Sequence, residues 1–387
     1  MTIPLIESLY EDNNRRKSES IFRKTSAHNN NLGIDFSGNS YLNLQNCQEV
    51  IDGANHLINN QLFGNMASRL ISQSSPLYDD LENELADWKH CESALIFNSG
   101  YAANTGIIPA ICNRNTDIFC DRLNHASIIS GCLLSGAKLL RYRHNDMAHL
   151  EELLQASSSP KKLIVTDSVF SMDGDRAPLA DICELGERYG CAVMVDEAHA
   201  TGIFGGRASG LVEEAGVEDV VQIRMGTLSK AVAGLGGFFA GDKEIRDFLV
   251  NNASSLIYST GLPHSILAYN LSAVRYIRKN PHQGKTLLDK AEELRSALTD
   301  MGWNCMDGTT QIIPVLTGSA ESALELSSYL KKNNISAPAI RTPTVPKGSE
   351  RVRLSVHLGI GDDEIESVLE TCRGYHPRSP VTLGTKI

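Results

Sequence analysis

The chain has 387 residues, of which 42% are hydrophobic and 21% charged, so it is long enough for one large or two smaller domains with a sizeable core. Its formal net charge of −10 argues against nucleic acid and anionic membranes as partners, and we expect neither a secretory signal nor a membrane-spanning segment. The nine cysteines show neither a CxxC pair nor zinc-ligand spacing, so we expect no metal site and interpret them as reduced thiols of a cytoplasmic protein.

The first ninety residues predict a charged helix, a short strand and an amphipathic helix. Residues 3–24 look helical and include Arg23, and residues 34–44 predict a strand that runs into a turn with Asn39. A loop of small polar residues then precedes a predicted helix at residues 80–88.

A strand at residues 94–97 leads into a turn at Gly100, and the amides from Tyr101 onward open a helix. Free N–H groups and the helix dipole make such an N-terminus a phosphate site, although many strand–helix turns share the pattern. After the next strand, His125 stands at a helix start. Its imidazole is able to stack on an aromatic ring, while the alternative is a solvated histidine.

Residues 163–175 predict a strand and a tight Asp-Gly-Asp turn, in which Ser171 and Asp173 are suited to capping. A helix at residues 178–189 should end at Gly190.

Residues 193–199, Val-Met-Val-Asp-Glu-Ala-His, predict a buried parallel strand that ends in polar groups. Catalytic groups of open α/β folds gather at such strand ends, so Asp196 is placed to pair with a protonated ring nitrogen and His199 to reach the same ligand. The alternative is an aspartate that caps a loop and a histidine satisfied within the protein.

Lys230 closes the run Gly-Thr-Leu-Ser-Lys, which includes Thr227 and precedes the glycine-rich residues 233–237. A lysine among small residues in a tight loop is costly to bury unless it is neutral, paired or used chemically, whereas most lysines are solvated. A neutral lysine amine is the nucleophile that pyridoxal phosphate requires, together with a carboxylate for its ring nitrogen and an anion site.

The last third predicts a smaller region with a helix at residues 285–301 and strands at 312–316 and 351–356. Arg353 on the last strand offers a fork suited to a carboxylate, or else is an ordinary surface arginine. Thr260 has the pattern of a helix N-cap before Pro263.

The segments Asp196-Glu197-Ala198-His199 and Thr227-Leu228-Ser229-Lys230 together resemble the α-oxoamine synthases, a family of pyridoxal-phosphate enzymes of fold type I. The resemblance extends from roughly residue 36 to residue 357. It implies an α/β fold with a large, mainly parallel seven-stranded sheet and a smaller C-terminal α/β domain. The expected division is a helical segment at 1–40, the cofactor domain at 41–271, the small domain at 272–376 and a flexible tail at 377–387.

The resemblance also implies site roles. Lys230, His125 and Asp196 are the expected catalytic residues. The expected cofactor contacts are Gly100, Tyr101, His125, Ser171, Asp196, His199, Thr227, Lys230 and Thr260, the last one to the phosphate of a partner subunit. Arg353, Arg23 and Asn39 are the expected substrate contacts. The resemblance further implies a homodimer with shared active sites.

The implied reaction is the decarboxylative condensation of an amino acid with an acyl thioester. Within the family the chain looks most like the members of biotin synthesis, which implies L-alanine and a pimeloyl group carried by coenzyme A or acyl carrier protein. Four positions depart from the usual family pattern: Ser40, Asn43, Gln73 and Tyr78. In the family the segment of the first two lies near the substrate entrance, so Ser40 and Asn43 bear on which acyl donor is accepted.

Two rival classes remain open on the sequence. A sister synthase that uses glycine or serine, with a long-chain donor in some cases, has the same parts. A non-catalytic relative would be favoured by loss of Lys230 or Asp196, and both are present. A nicotinamide dehydrogenase is disfavoured, because no Gly-x-Gly-x-x-Gly directly follows the first strand.

Overall fold

The structure, a computed structural model, describes residues 3–22, 25, 33–58, 64–71 and 75–375. The strands are, in chain order, β1 (Ile34–Asp35), β2 (Ser93–Phe97), β3 (Thr116–Asp121), β4 (Lys138–Tyr142), β5 (Lys161–Asp167), β6 (Ala192–Asp196), β7 (Ile223–Thr227), β8 (Gly237–Gly241), β9 (Ile312–Leu316), β10 (Ile335–Ser336), β11 (Ala339–Ile340) and β12 (Arg351–Ser355).

The α-helices are α1 (Pro4–Ser18), α2 (Gln48–Ile58), α3 (Pro76–Trp88), α4 (Gly100–Ile111), α5 (Ala126–Ser135), α6 (Met147–Ala156), α7 (Leu179–Tyr189), α8 (Leu211–Glu214), α9 (Lys243–Asn252), α10 (Ser254–Ile257), α11 (His264–Lys279), α12 (His282–Asp300), α13 (Ala320–Lys332) and α14 (Asp362–Arg373). A short 3₁₀ helix covers Leu44–Asn46.

Seven strands form the central sheet, in the order β2-β8-β7-β6-β5-β3-β4. Six of these strands run in the same direction, and β8 runs antiparallel to them. The inner strands are buried on both faces, as the continuous apolar run of β6 predicts, and their side chains alternate between two clusters: Ile164 and Val193 lie in one, Leu163 and Met194 in the other. The predicted α/β class with a mainly parallel seven-stranded sheet is therefore confirmed.

A smaller C-terminal region contains the antiparallel sheet β11-β12-β9, and β10 pairs in parallel with β1 near the start of the chain. The proposed domain boundary at residue 272 lies within the continuous helix α11, and the division into domains stays a prediction. The predicted tail at 377–387 lies outside the described residues.

Several element boundaries differ from the sequence expectation. Helix α3 begins at Pro76 instead of residue 80, because Ser75 accepts a hydrogen bond from the Leu77 amide and Pro76 suits the first helical position. By contrast, Gly190 ends α7 with φ 64°, as its position after the helix predicts.

Within the described residues, no helix combines the length and the apolar character that crossing a membrane requires. The same residues include no cluster of three histidine, cysteine or acidic side chains able to hold a metal ion. All nine cysteines are free thiols.

Candidate active site

Three neighbouring strands end in polar side chains at one edge of the central sheet. Asp167 ends β5, Asp196 ends β6 and Thr227 ends β7, and Asp167 lies directly opposite Asp196 in the strand register. Because parallel strands bring their carboxyl ends to the same edge, residues separated by sixty positions in sequence come together there.

Asp196 is 3% exposed, and each of its oxygens accepts a hydrogen bond from a neutral group. Oδ1 accepts from the Ala198 amide at 2.9 Å, and Oδ2 accepts from Asn104 Nδ2 at 2.8 Å. The first of these bonds is the loop cap that the alternative interpretation expected. No lysine, arginine or histidine among the described residues forms an ion pair with it. A buried carboxylate of this kind is suited to a cationic ligand.

Lys230 follows β7 in a loop held by its own backbone. The Thr227 hydroxyl donates to the Gly236 carbonyl at 2.8 Å, and the Leu228 amide donates to the same carbonyl at 2.9 Å. A side chain at Gly234 would lie 1.9 Å from Asn270 Oδ1, so any larger residue would force the buried Asn270 side chain to move. The tight loop predicted from the small residues is present.

Lys230 is half-buried, and the electrostatics of the site favour its neutral form. Desolvation lowers the pKa of its amine to about 8, and Arg353 adds to this effect, while Asp196 and Asp167 oppose it. The amine is therefore able to gain and lose a proton near neutral pH, which a solvated lysine cannot do.

His125 precedes α5 as its N-cap residue. Its Nδ1 lies 3.2 Å from the Ser127 amide nitrogen and 2.6 Å from the Ser127 hydroxyl oxygen. Its own amide donates to Asp167 Oδ2 at 2.6 Å. His125 is exposed to solvent on one side, yet partial desolvation of its ring lowers its pKa, with Asp196 opposing this effect and Lys230 adding to it.

His199 is buried, and its Nδ1 lies 2.7 Å from the Tyr41 hydroxyl. Burial lowers the pKa of His199 well below its usual value, and the positive charges of Lys230 and Arg353 add to the effect. Its ring is therefore neutral at neutral pH.

Arg353 is 4% exposed and reaches the site from β12 of the C-terminal region. Its Nε donates to the Ser171 carbonyl at 2.7 Å and its Nη2 to Asn39 Oδ1 at 3.0 Å. It makes no ion pair with a carboxylate among the residues described, whereas Arg351 on the same strand pairs with Asp173 at 2.7 Å. The surface-arginine alternative is wrong, because both arginines are buried.

The N-terminus of α4 offers open donors beside the end of β7. Ser99 accepts from the Ala102 amide at 3.0 Å, and the amides of Gly100 and Tyr101 donate to no described residue. A side chain at Gly100 would lie 3.4 Å from Thr227 Oγ1, so the helix start and the lysine loop are adjacent. This N-terminus is suited to a phosphate.

Thr260 is exposed, and its carbonyl accepts from Asn98 Nδ2 at 2.6 Å. It does not cap α11, whose N-cap is Pro263, so the N-cap interpretation is wrong. Arg23 lies outside the described residues.

Sequence reasoning missed the roles of four polar residues that build this site. Asn104 donates to Asp196 and to Ser127, and Asp167 supports His125. Glu197 forms a buried ion pair with Lys89 at 2.8 Å, which fixes the turn between Asp196 and His199. Asn104 lies one turn after Gly100, but neither Asp167 nor Lys89 has a local pattern that distinguishes it.

Two of the four departures from the family pattern have a structural explanation. Asn43 adopts a left-handed conformation with φ 56°, which asparagine tolerates better than most residues, so the backbone that glycine would allow is kept. The Tyr78 hydroxyl accepts from the Leu262 amide at 2.6 Å and so supports the segment of Thr260. Ser40 bonds the Gln45 side chain, and Gln73 is outside the described residues.

The donor set fits pyridoxal phosphate. Lys230 offers an amine for the aldehyde, Asp196 a buried carboxylate for the ring nitrogen, and the α4 N-terminus open amides for the phosphate. His125 and His199 offer neutral imidazoles beside them.

A family model described as aminotransferase class I and II matches residues 32–371. The chain is 44% identical over 337 residues to an 8-amino-7-oxononanoate synthase of Trichlorobacter lovleyi, with 86% of each chain covered. The solved serine palmitoyltransferase of Sphingomonas wittichii has 28% identity and a TM-score of 0.85, covering 88% of this chain and 86% of its own. The crystal structure of an 8-amino-7-oxononanoate synthase from Francisella tularensis has 25% identity and a TM-score of 0.76, covering 88% and 97%.

Proposed function

Because this chain belongs to the class I and II aminotransferase family and, within it, to the α-oxoamine synthases, we propose that it condenses L-alanine with a pimeloyl thioester to give 8-amino-7-oxononanoate for biotin synthesis. The reaction forms a bond between the alanine α-carbon and the acyl carbon. The thioester bond breaks and releases the thiol, and the alanine carboxylate leaves as carbon dioxide. The observation that carries the proposal is the 44% identity over most of both chains to a synthase of this activity.

The cofactor is pyridoxal phosphate, which when bound supplies a ring that accepts electrons from the amino acid's α-carbon. Lys230 holds its aldehyde and, once released, moves the α-proton, for which a pKa of about 8 is suitable. Asp196 keeps a positive charge on the ring nitrogen, since its buried carboxylate has only neutral donors. His125 and His199 would hold the ring and its oxygen substituent.

Arg353 binds the substrate carboxylate in this proposal. Its guanidinium meets only the neutral oxygens of Ser171 and Asn39, so a carboxylate would be its first anionic partner among the described residues. A buried guanidinium with two neutral acceptors is strongly stabilised by a carboxylate at hydrogen-bond distance. Arg23 is proposed to reach the acyl substrate.

We also propose a homodimer with shared active sites. Tyr101 and the adjacent α5 residues Leu133 and Leu134 are all more than half exposed, and the Tyr101 hydroxyl bonds Ser130 of the same helix. This exposed apolar surface, Tyr101–Leu133–Leu134, begins at the phosphate-binding helix, and large exposed apolar groups of this kind commonly mark an interface. Thr260 is exposed as a contact with the partner's phosphate would require.

The amino acid and the acyl donor are tested together. The purified protein is incubated with alanine, glycine or serine and a panel of acyl thioesters on coenzyme A and acyl carrier protein, and release of thiol and carbon dioxide is measured. We expect turnover with alanine and a pimeloyl donor. Turnover with glycine or serine alone would overturn the substrate assignment and leave the family assignment intact.

A serine-using synthase is the second candidate, since the structure of a serine palmitoyltransferase superposes with the higher TM-score of the two solved relatives. The two solved enzymes have similar identities to this chain, at 28% and 25%, so the 44% identity to the Trichlorobacter lovleyi synthase is what favours the alanine enzyme. Serine with a long-chain acyl thioester in the same panel decides between them.

A further inference from the structure

Tyr41 is a buried residue whose hydroxyl stands between two site residues. Its side chain is 0% exposed, and its ring is tilted against that of His199 with centroids 6.0 Å apart. The hydroxyl oxygen lies 2.7 Å from His199 Nδ1 and 3.1 Å from Asn39 Oδ1. A phenol has one proton to donate, so these two acceptors compete for it, while the side chains of Gln311 and Arg353 also lie within hydrogen-bond reach of the hydroxyl.

The distances favour His199 as the acceptor. Hydrogen bonds from hydroxyl groups are ordinarily about 2.7–2.8 Å long and rarely exceed about 3.0 Å, so the contact with Asn39 is the weaker one. Asn39 Oδ1 also receives a hydrogen bond from Arg353 Nη2 at 3.0 Å, so it has a donor without the Tyr41 proton. In the opposite arrangement, Tyr41 would donate to Asn39 and His199 would donate from Nδ1 to Tyr41.

The two arrangements place the single proton of the neutral His199 ring on different nitrogens. If Tyr41 donates to Nδ1, the ring proton lies on Nε2, and no described residue accepts a hydrogen bond from that atom. The backbone of His199 is held by Gln311, whose Nε2 donates to the His199 carbonyl at 2.9 Å and whose side chain also meets the Tyr41 hydroxyl. The Tyr41 hydroxyl is therefore the described group that contacts the ring nitrogen on which the tautomer depends.

We propose that Tyr41 is a positioning residue that holds His199 in the tautomer with its proton on Nε2, so that His199 is a hydrogen-bond donor toward the oxygen substituent of the bound cofactor. Arg353 supports this arrangement, since its bond to Asn39 Oδ1 leaves the Tyr41 proton to His199. The inference rests on the proposed cofactor and extends it to a chain of contacts: Arg353, Asn39, Tyr41 and His199. That chain joins the proposed carboxylate site to the ring.

The test is ¹⁵N spectroscopy of the holoenzyme labelled at histidine. A ring nitrogen without a proton resonates far downfield of an N–H nitrogen, so the spectrum reports the tautomer directly. The His199 signals are assigned by their loss in His199→Gln. We expect wild type to carry the proton on Nε2, and Tyr41→Phe to add a population with the proton on Nδ1.

Two further variants test the direction of the hydrogen bond and provide a control. Asn39→Ala removes the competing acceptor and should leave the proton on Nε2, whereas the opposite arrangement predicts that it moves there from Nδ1. Tyr142→Phe is the matched control, since Tyr142 is equally buried on β4 and makes no hydrogen bond with Asn39, His199 or Arg353. It should leave the His199 signals unchanged.

A wild-type spectrum with the proton on Nδ1, or a Tyr41→Phe spectrum identical to wild type, would overturn the inference. The wild-type measurement needs no altered side chain at Tyr41, so it stands even where that variant fails to fold. Turnover of alanine is measured on the same preparation. If the tautomer result is not as predicted but turnover is normal, the inference about Tyr41 fails and the proposed function stands. If turnover is absent, the proposed function fails, and the tautomer result is judged separately.

Discussion

At the scale of single residues, Lys230 is the side chain whose chemistry depends most on its surroundings. Desolvation lowers the pKa of its amine to about 8, against about 10.4 for a solvated lysine. The same amine next to water would be a poor nucleophile at neutral pH, so the loop that shields it is part of the reactivity.

The first prediction concerns covalent binding at Lys230. Borohydride treatment of the purified protein should fix the cofactor to the peptide that contains Lys230, and peptide mass spectrometry reads the position. Lys230→Ala should still bind the cofactor but lose turnover, because the anchor and the base are removed together. Labelling of a different lysine would refute the assignment.

The second prediction concerns the charge of Asp196. Asp196→Asn keeps the shape of the side chain but removes the negative charge that stabilises a protonated ring nitrogen. We expect turnover to fall by at least about two orders of magnitude, the scale of one electrostatic contact made in the transition state. The measurement is the steady-state rate with saturating cofactor, and near-normal turnover would make Asp196 a structural loop cap.

The third prediction concerns Arg353. Lysine cannot reproduce the two-pronged guanidinium, so Arg353→Lys should weaken alanine binding by roughly tenfold or more, the scale of one charge-assisted hydrogen bond. Cofactor binding should be nearly unchanged. Titration of the cofactor absorbance with alanine, glycine and serine measures this in both proteins, and normal alanine affinity in the variant would exclude Arg353 as the carboxylate site.

At the scale of elements, a histidine joins three segments beside the site. His144 follows β4, and its ring lies 3.0 Å from Asp121 Oδ1 at the end of β3 and 2.7 Å from Asp175 Oδ2 in the turn after β5. Burial opposes the charged ring, but hydrogen bonds and charges of the two aspartates outweigh it and raise the pKa of His144 to about 10. The turn that these two contacts of His144 hold in place also contains Ser171, whose carbonyl accepts a hydrogen bond from Arg353.

The fourth prediction is the pH dependence of stability that follows from His144. Its pKa is higher in the folded chain than the usual value of about 6.5 in an unfolded one, so the folded state binds the proton more tightly. The stabilisation is fully present below about pH 6.5 and is lost as the pH rises toward about 10. His144→Gln should lower the free energy of unfolding by about 2 kcal/mol at pH 6, the scale of charge-assisted hydrogen bonds, and by less at pH 10.

Urea unfolding at both pH values measures the effect. His56→Gln is the matched control, since His56 is exposed on α2 and makes no ion pair within the described chain. An equal loss at pH 6 and pH 10 in the His144 variant would show that the ring acts by packing alone, for example against Phe170, whose ring lies 4.4 Å away.

At the scale of the whole molecule, the arrangement of exposed apolar groups favours an assembly. The Tyr101–Leu133–Leu134 surface starts at the helix whose N-terminus is open for phosphate, so covering it would also close the side of the cofactor site. A second chain is the proposed cover.

The fifth prediction tests that cover. Leu133→Glu places a charge in the proposed interface and should raise the dissociation constant of the dimer at least about tenfold, since a buried charge without a partner is costly. Sedimentation at several protein concentrations measures it. Leu324→Glu is the matched control, because Leu324 is an exposed leucine on α13 of the small region. A monomeric wild type, or an unchanged Leu133→Glu dimer, would contradict the proposal.

Local sequence determined the elements and the type of chemistry. The apolar run before Asp196 predicted a buried strand, the small residues around Lys230 a tight loop, and Gly190 the end of α7, since each depends on short-range backbone and burial preferences. Together with the family resemblance these features were enough for the fold class and the cofactor. The sequence did not predict where α3 starts, because a single capping hydrogen bond, from the Leu77 amide to the Ser75 hydroxyl, decides that boundary.

The tertiary structure decided which residues support the reactive ones. Asn104 is 92 positions from Asp196, Lys89 is 108 from Glu197 and Tyr41 is 158 from His199, and no local pattern encodes such pairs. Arg353 shows the same limit: alternation along β12 gave its direction, but only the packing of the C-terminal region against the central sheet brings it to Ser171 and Asn39. Burial also determines the reactivity of the site. The lowered pKa of Lys230 and the neutral ring of His199 both arise from desolvation, which exists only once the chain is folded.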